Sequence, residues 1–233
     1  MDVDYSRARL GFRPQPTTGP AGGRDEALGV GAGRDGVLYV PDTAERRAPI
    51  MVFLHGATGS GRGHLRAVLA AADRYGVILV APDSRSGATW DLIEVNRFGP
   101  DLEFLDRVLD VVVGRVDGDL SLLALAGVSD GASYALSVGL ANGDVFSTVI
   151  AFSPGFLAVP EPVGKPRVFV SHGTGDPILP IDGCSGAFVP QLRHAGYEVM
   201  FRPFDGGHTV PPEIADNGLR WWLAGPAEVE PGA

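Results

Sequence analysis

The 233 residues suit one large α/β domain and leave too little length for two complete cores. A net charge of −9 at pH 7, spread without a basic stripe, argues against nucleic acid or an anionic membrane surface as partner. Cys184 is the one cysteine, which excludes an internal disulfide or a cysteine-built metal cluster, and no apolar run approaches the roughly 20 residues that span a bilayer.

The opening MDVDYSRARL carries acidic residues and lacks the apolar core of a signal peptide, so a cytoplasmic location is expected. Residues 1–36 read as edge strands with a Gly/Pro-rich connection, part of the same domain as the rest of the chain. PQPTTGPAGG at 14–23 and GVGAG at 29–33 have the composition of a flexible surface connection. GVGAGR superficially resembles a dinucleotide loop, but it lacks the third glycine and no strand precedes it, so that assignment is rejected.

From residue 37 to 224 the chain alternates between two textures, and 225–233 reads as a flexible tail. Short runs rich in β-branched and aromatic residues predict strands at 37–40, 50–54, 77–81, 122–127, 148–152, 167–172 and 198–204. Helical spacing predicts helices at 64–76 (stripe Leu65, Val68, Leu69, Ala72; stop at Gly76), 101–116, 132–141, 188–196 and 212–224. Strands alternating with helices imply a mostly parallel sheet covered on both faces. Right-handed crossovers then bring the strands' C-terminal ends to one edge, where active-site loops gather.

Four segments sit at that edge. GVSDG at 127–131 separates the strand ending at 127 from the helix beginning at 132, the placement of a nucleophile elbow. With 33 glycines in the chain, the bare pattern is weak, and a serine N-cap in a glycine-rich turn reads equally well. HGATGSG at 55–61 follows the strand at 50–54, and its small residues let a main-chain N–H approach an oxyanion; the Gly-Lys-Ser/Thr ending of a phosphate loop is absent. Asp176 in SHGTGDPILP and His208 in FDGGHTVP each lie just past a strand. A lone Asp or His in a loop is usually a solvated residue. The order Ser129, Asp176, His208, with each just past a strand, shifts the reading to an acyl-transfer triad.

The remaining histidines do not compete. His55 reads as ordering its own loop; His64, His172 and His194 fall on a helix start, a strand end and a helix face, without a helix-metal spacing. Cys184 lacks an elbow around it. Neither a metal nor a cofactor is expected.

In LHGATG (54–59), APDS (81–84), TWD (89–91), GVSDG, HGTGDPILP (172–180) and GGHTVP (206–211) the chain resembles the α/β-hydrolase superfamily. It looks closest to the lidless bacterial carboxylesterase/phospholipase group, with polyhydroxyalkanoate depolymerase-like and feruloyl esterase-like relatives. The match covers about 37–223. The resemblance implies an α/β-hydrolase fold with Ser129 as nucleophile, His208 as base and Asp176 as acid. It also implies oxyanion donors at the backbone N–H of Ala57 and Asp130, and a Trp90 ring bordering the acyl pocket. Between 131 and 176 only one helix and one strand are predicted, so no cap domain is expected and small or polymeric esters suit the open cleft. The Asp130 carboxylate is expected near the nucleophile, where it would disfavour anionic substrates. A thioesterase or peptidase would use the same triad, and a non-catalytic binding protein would use the same fold.

Overall fold

The computed structural model describes residues 8–20, 22–159 and 161–226, so the tail expected at 225–233 lies outside the described residues from 227 onward. Eight strands, β1 (Arg24–Ala27), β2 (Gly36–Val40), β3 (Ala48–Leu54), β4 (Ile78–Pro82), β5 (Gly118–Val128), β6 (Thr148–Phe152), β7 (Arg167–Gly173) and β8 (Val199–Phe204), form one sheet. Their order is β1-β2-β4-β3-β5-β6-β7-β8. β2 runs antiparallel to both β1 and β4, and β3 to β8 run parallel to one another.

The two-residue period of the strands divides the core between the sheet's faces. Ile50, Val52 and Leu54 of β3 join Leu123 and Leu125 of β5 on one face; Met51 and Phe53 join Ala124 and Ala126 on the other. The first face is covered by α3 (Asp91–Val95), α4 (Pro100–Val113), α5 (Asp130–Ala141) and α6 (Ser185–His194). The second is covered by α1 (Gly61–Leu65), α2 (Leu69–Tyr75) and α7 (Pro212–Leu223). At roughly 1.5–3 kcal/mol for each fully buried large apolar side chain, these layers dominate the stability of the fold. Among the described residues no helix is long and apolar enough to cross a membrane.

The structure departs from the periodicity in three places. The helix expected over 64–76 is two helices, because the N–H groups of Ala67 and Val68 turn back to carbonyls only three residues earlier. Val68 leaves helical geometry at φ −121° and buries its side chain on the second face. The αL stop at Gly76 is where the sequence places it, with φ 67°. α3, five residues long, has no counterpart among the expected helices, since so short a helix has no periodicity of its own and depends on tertiary support. Finally, residues 8–12 are tied down: Ala8, Leu10 and Phe12 are buried, and the N–H groups of Gly11 and Phe12 donate to the Asp106 carboxylate at 2.9 and 2.8 Å.

α3 and α4 are joined beneath the site by two buried carboxylates. Asp91 accepts the N–H groups of Gly99 and Asp101, both at 2.9 Å, and the Tyr134 hydroxyl at 3.0 Å. Asp101 accepts the N–H groups of Arg85 and Asp91 at 2.5 and 2.7 Å. Burial pushes the Asp101 carboxyl up to about 6, with the Asp91 charge adding to the rise and the Arg85 N–H opposing it. An acid whose folded pKa is raised holds its proton longer in the folded state, so its contribution to stability falls as pH climbs from about 4 to about 6. At 1.36 kcal/mol per pH unit the loss is on the order of 3 kcal/mol. Urea unfolding of wild type and Asp101→Asn should therefore show wild type losing ground to the variant across that window and holding a constant difference above pH 7. A difference that moves the other way would mean that the two N–H bonds outweigh the burial.

Candidate active site

The loops after β3, β5, β7 and β8 converge at the C-terminal edge of the sheet. Ser129 occupies the turn between β5 and α5 at φ 56°, ψ −121°, a left-handed conformation that strains a residue with a Cβ by roughly 1–3 kcal/mol. The flanking glycines are required by close approach. A Cβ on Gly127 would meet the Gly131 carbonyl oxygen at 2.3 Å, and one on Gly131 would meet the Leu54 carbonyl oxygen at 2.2 Å. α5 can therefore start directly against the end of β3, and the Ser129 hydroxyl is presented above the helix N-terminus.

Three side chains form a hydrogen-bonded chain there. The Ser129 hydroxyl donates to His208 Nε2 at 2.9 Å, and His208 Nδ1–H donates to Asp176 Oδ2 at 2.6 Å, the tautomer that this network requires. The other Asp176 oxygen accepts the N–H groups of Ile178 and Leu179 at 2.9 and 3.0 Å. Burial by itself would raise the Asp176 pKa, but the Leu179 N–H, the His208 bond and the Ile178 N–H together hold it below the usual carboxylate value. Asp176 is only 5% exposed, whereas Asp182 and Asp205 are both exposed.

The loop after β3 forms the opposite wall. A Cβ placed on Gly56 would lie 3.4 Å from Ser129 Cβ, so this backbone passes directly beside the nucleophile position. Ala57 lines the cleft with Ser129 and His208. His55 orders the loop, as the sequence suggested. It is fully buried, its Nδ1–H donates to the Gly56 carbonyl at 2.7 Å, and its Nε2 accepts the Ser84 N–H at 3.0 Å. Burial, aided by nearby Arg34, lowers its pKa and keeps the ring neutral.

Trp90 is not where the resemblance put it. Its ring is 1% exposed, donates from Nε1 to the His55 carbonyl at 2.8 Å and stacks on Tyr134 with 5.2 Å between centroids. An indole pinned in this way holds up the loop after β3 from below and does not border the cleft. The Asp130 carboxylate likewise turns aside: Oδ2 accepts the Thr89 hydroxyl at 2.6 Å, and Asp130 is not among the residues lining the cleft.

Sequence reasoning missed two residues. His172, read as the end of a strand, is fully buried behind the acid. Its Nε2–H donates to the Leu179 carbonyl at 2.7 Å with Asp176 Oδ2 3.4 Å away, and its Nδ1 accepts the Ser185 hydroxyl at 2.8 Å. Its position four residues before Asp176 was the available signal. Arg34 comes from the Gly-rich stretch that matched no motif. The Asp35 carboxylate gathers the N–H groups of Gly29, Val30 and Gly31 at 2.6–2.9 Å, which shapes that loop. Arg34 then reaches the cleft and donates to the carbonyls of Ser84 and Gly59 at 2.7 and 2.8 Å. Cys184 is buried and is not among the residues lining the cleft; burial pushes its thiol up, and the Asp176 charge adds to the rise.

No family model matches the chain. It is 26% identical over 221 residues to a probable feruloyl esterase C of Aspergillus flavus, with 80% of each chain covered. Among solved structures it is similar to an S-formylglutathione hydrolase of Staphylococcus aureus (TM-score 0.69, 14% identity, 88% of this chain and 99% of that one). It is also similar to an acetyl xylan esterase of Aspergillus awamori (TM-score 0.64, 18% identity, 86% and 99%). At these identities the structural likenesses concern the fold.

Proposed function

We propose that this chain, an α/β-hydrolase by its fold, is a serine hydrolase that cleaves carboxylic esters through Ser129, His208 and Asp176. The observation that carries the reading is the continuous hydroxyl–imidazole–carboxylate chain, at 2.9 and 2.6 Å, built on a strained elbow at the mouth of an open cleft of about 800 Å³.

In this reading His208 Nε2 takes the Ser129 proton as Oγ attacks the ester carbonyl. The carbonyl oxygen gains a negative charge, which the backbone N–H groups of Ala57 and Asp130 stabilise, the second at the start of α5 where the helix dipole adds to the effect. Asp176 holds the imidazole in the Nδ1–H tautomer and stabilises the imidazolium that forms. His208 then gives its proton to the leaving alkoxide. Water repeats the cycle on the acyl-enzyme, releasing the acid and restoring Ser129. Among the described residues only α5, β6 and a connecting loop lie between the elbow and β7, which suits an open cleft that admits a small ester or the side chain of a polymer. Thioester or amide cleavage would use the same three residues; the feruloyl esterase relative favours oxygen esters.

Each step of this mechanism uses protein groups alone, so turnover of a 4-nitrophenyl ester should survive EDTA unchanged. Loss of turnover on chelation, with recovery on adding a divalent ion, would overturn the reading in favour of metal-assisted hydrolysis.

A further inference from the structure

The walls of the cleft carry charge of one sign. Of the described side chains that line it, Arg34 and Arg66 are cationic, His64 and His208 are imidazoles, and no carboxylate takes part. This is in a protein whose net charge is −9. The nearby acids are committed elsewhere. Asp25 pairs with Arg62, Asp83 accepts the Gly61 N–H, Asp130 accepts from Thr89, and Asp176 is bonded to His208.

Both arginines line the cleft and keep guanidinium nitrogens without a partner among the described residues. Arg34 spends Nε and Nη2 on the Ser84 and Gly59 carbonyls, which fixes the guanidinium plane and leaves Nη1 without a protein partner among the described residues. Arg66 is exposed and, among the described residues, bonds only through Nε to the Gly63 carbonyl in its own turn. Neither forms an ion pair with a carboxylate among the described residues. His64 stands against the same loop: a Cβ on Gly56 would stand 3.5 Å from its Nε2, and its Nδ1 is buried without a partner among the described residues. A guanidinium whose donors point into a partly desolvated cleft suits a carboxylate or phosphate oxygen, and an anchored one loses little entropy on binding it.

Resting on the esterase reading above, we infer that the preferred substrate is an ester with an anionic group set away from the scissile carbonyl. That group would be held by Arg34 and Arg66 on the wall formed by the β3 loop and α1. This reverses the expectation drawn from Asp130, whose carboxylate faces Thr89.

The charge could sit on the acyl part or on the alcohol part, and two substrate pairs separate these. One compares 4-nitrophenyl hydrogen glutarate with 4-nitrophenyl pentanoate; the other compares 4-acetoxybenzoate with its methyl ester. In at least one pair kcat/KM should favour the anionic member about tenfold or more at low salt, and that preference should shrink with added NaCl. It should drop about tenfold in Arg66→Gln, and also in Arg34→Gln. Arg66→Gln guards against loop disturbance, since among the described residues Arg66 bonds only within its own turn. The pair that shows the preference identifies the part of the substrate that carries the charge. Neutral esters turned over as well as or better than anionic ones in both pairs, or a preference unmoved by either substitution, would overturn the inference and leave the esterase reading standing. Turnover of no ester at all would remove both.

Discussion

Ser129→Ala is expected to keep the fold and to lower ester turnover by on the order of 10⁵–10⁶, with complete loss of labelling by a fluorophosphonate. The hydroxyl makes one hydrogen bond, to His208, at a partly exposed position, so its removal costs about 1 kcal/mol of stability at most. The backbone strain at φ 56° is unchanged, because alanine has the same Cβ. The elbow, α5 and the cleft should therefore survive, and circular dichroism and the urea midpoint should stay close to wild type. All that is lost is the atom proposed to form the acyl bond. Labelling of the variant at the wild-type rate would place the nucleophile elsewhere.

Asp176→Asn is expected to lower kcat on the order of 10⁴-fold with much less effect on KM. With its oxygen turned to the Ile178 and Leu179 N–H groups the amide keeps both of those bonds and presents its NH₂ to the imidazole. It no longer offers a charge to the imidazolium, and its NH₂ can favour the tautomer that leaves Nε2 protonated and unable to take the Ser129 proton. Two other acids lie on neighbouring loops. Asp182 sits in a 3₁₀ turn (Ile181–Gly183), exposed to solvent, and Asp205 is exposed three residues before His208. Asp182→Asn and Asp205→Asn should each stay within about tenfold of wild type. A near-normal Asp176→Asn beside collapse of either other variant would reassign the acid.

His172 bears on the same experiment. It clamps the turn after β7 by bonding the Leu179 carbonyl while Ser185 holds its other nitrogen, so Asp176 is backed by a fully buried ring. The acid is thus set in place by a strand end, two backbone N–H groups and this imidazole.

Much of the site was legible because it is built from local devices. A serine between two glycines, bounded by a strand and a helix, can be recognised from six or seven consecutive residues, and the contacts that Gly127 and Gly131 make explain why no larger side chain fits. The parallel sheet was legible for a similar reason. Strands buried on both faces are apolar throughout, and β3, β4 and β6 stand out against the amphipathic stripe of α4. That Ser129, Asp176 and His208, each behind a strand, share one edge followed from handed crossovers that send the loops after parallel strands to the same side.

What the tertiary structure alone decided depends on long-range contacts that leave no periodic trace. Periodicity reports that a side chain is buried, not what it touches, so Trp90 could be matched to a motif and still stand beneath the loop instead of beside the substrate. Asp91 and Asp101 look like surface acids until backbone N–H groups close around them. Arg34 sits in a Gly/Pro-rich stretch whose composition predicts only a connection. Its arrival in the cleft depends on Asp35 folding the loop and on carbonyls contributed by Ser84 and Gly59, 50 and 25 residues further along the chain. Glycine-rich backbone has no conformation of its own to read, and there the distant hydrogen bonds choose the path.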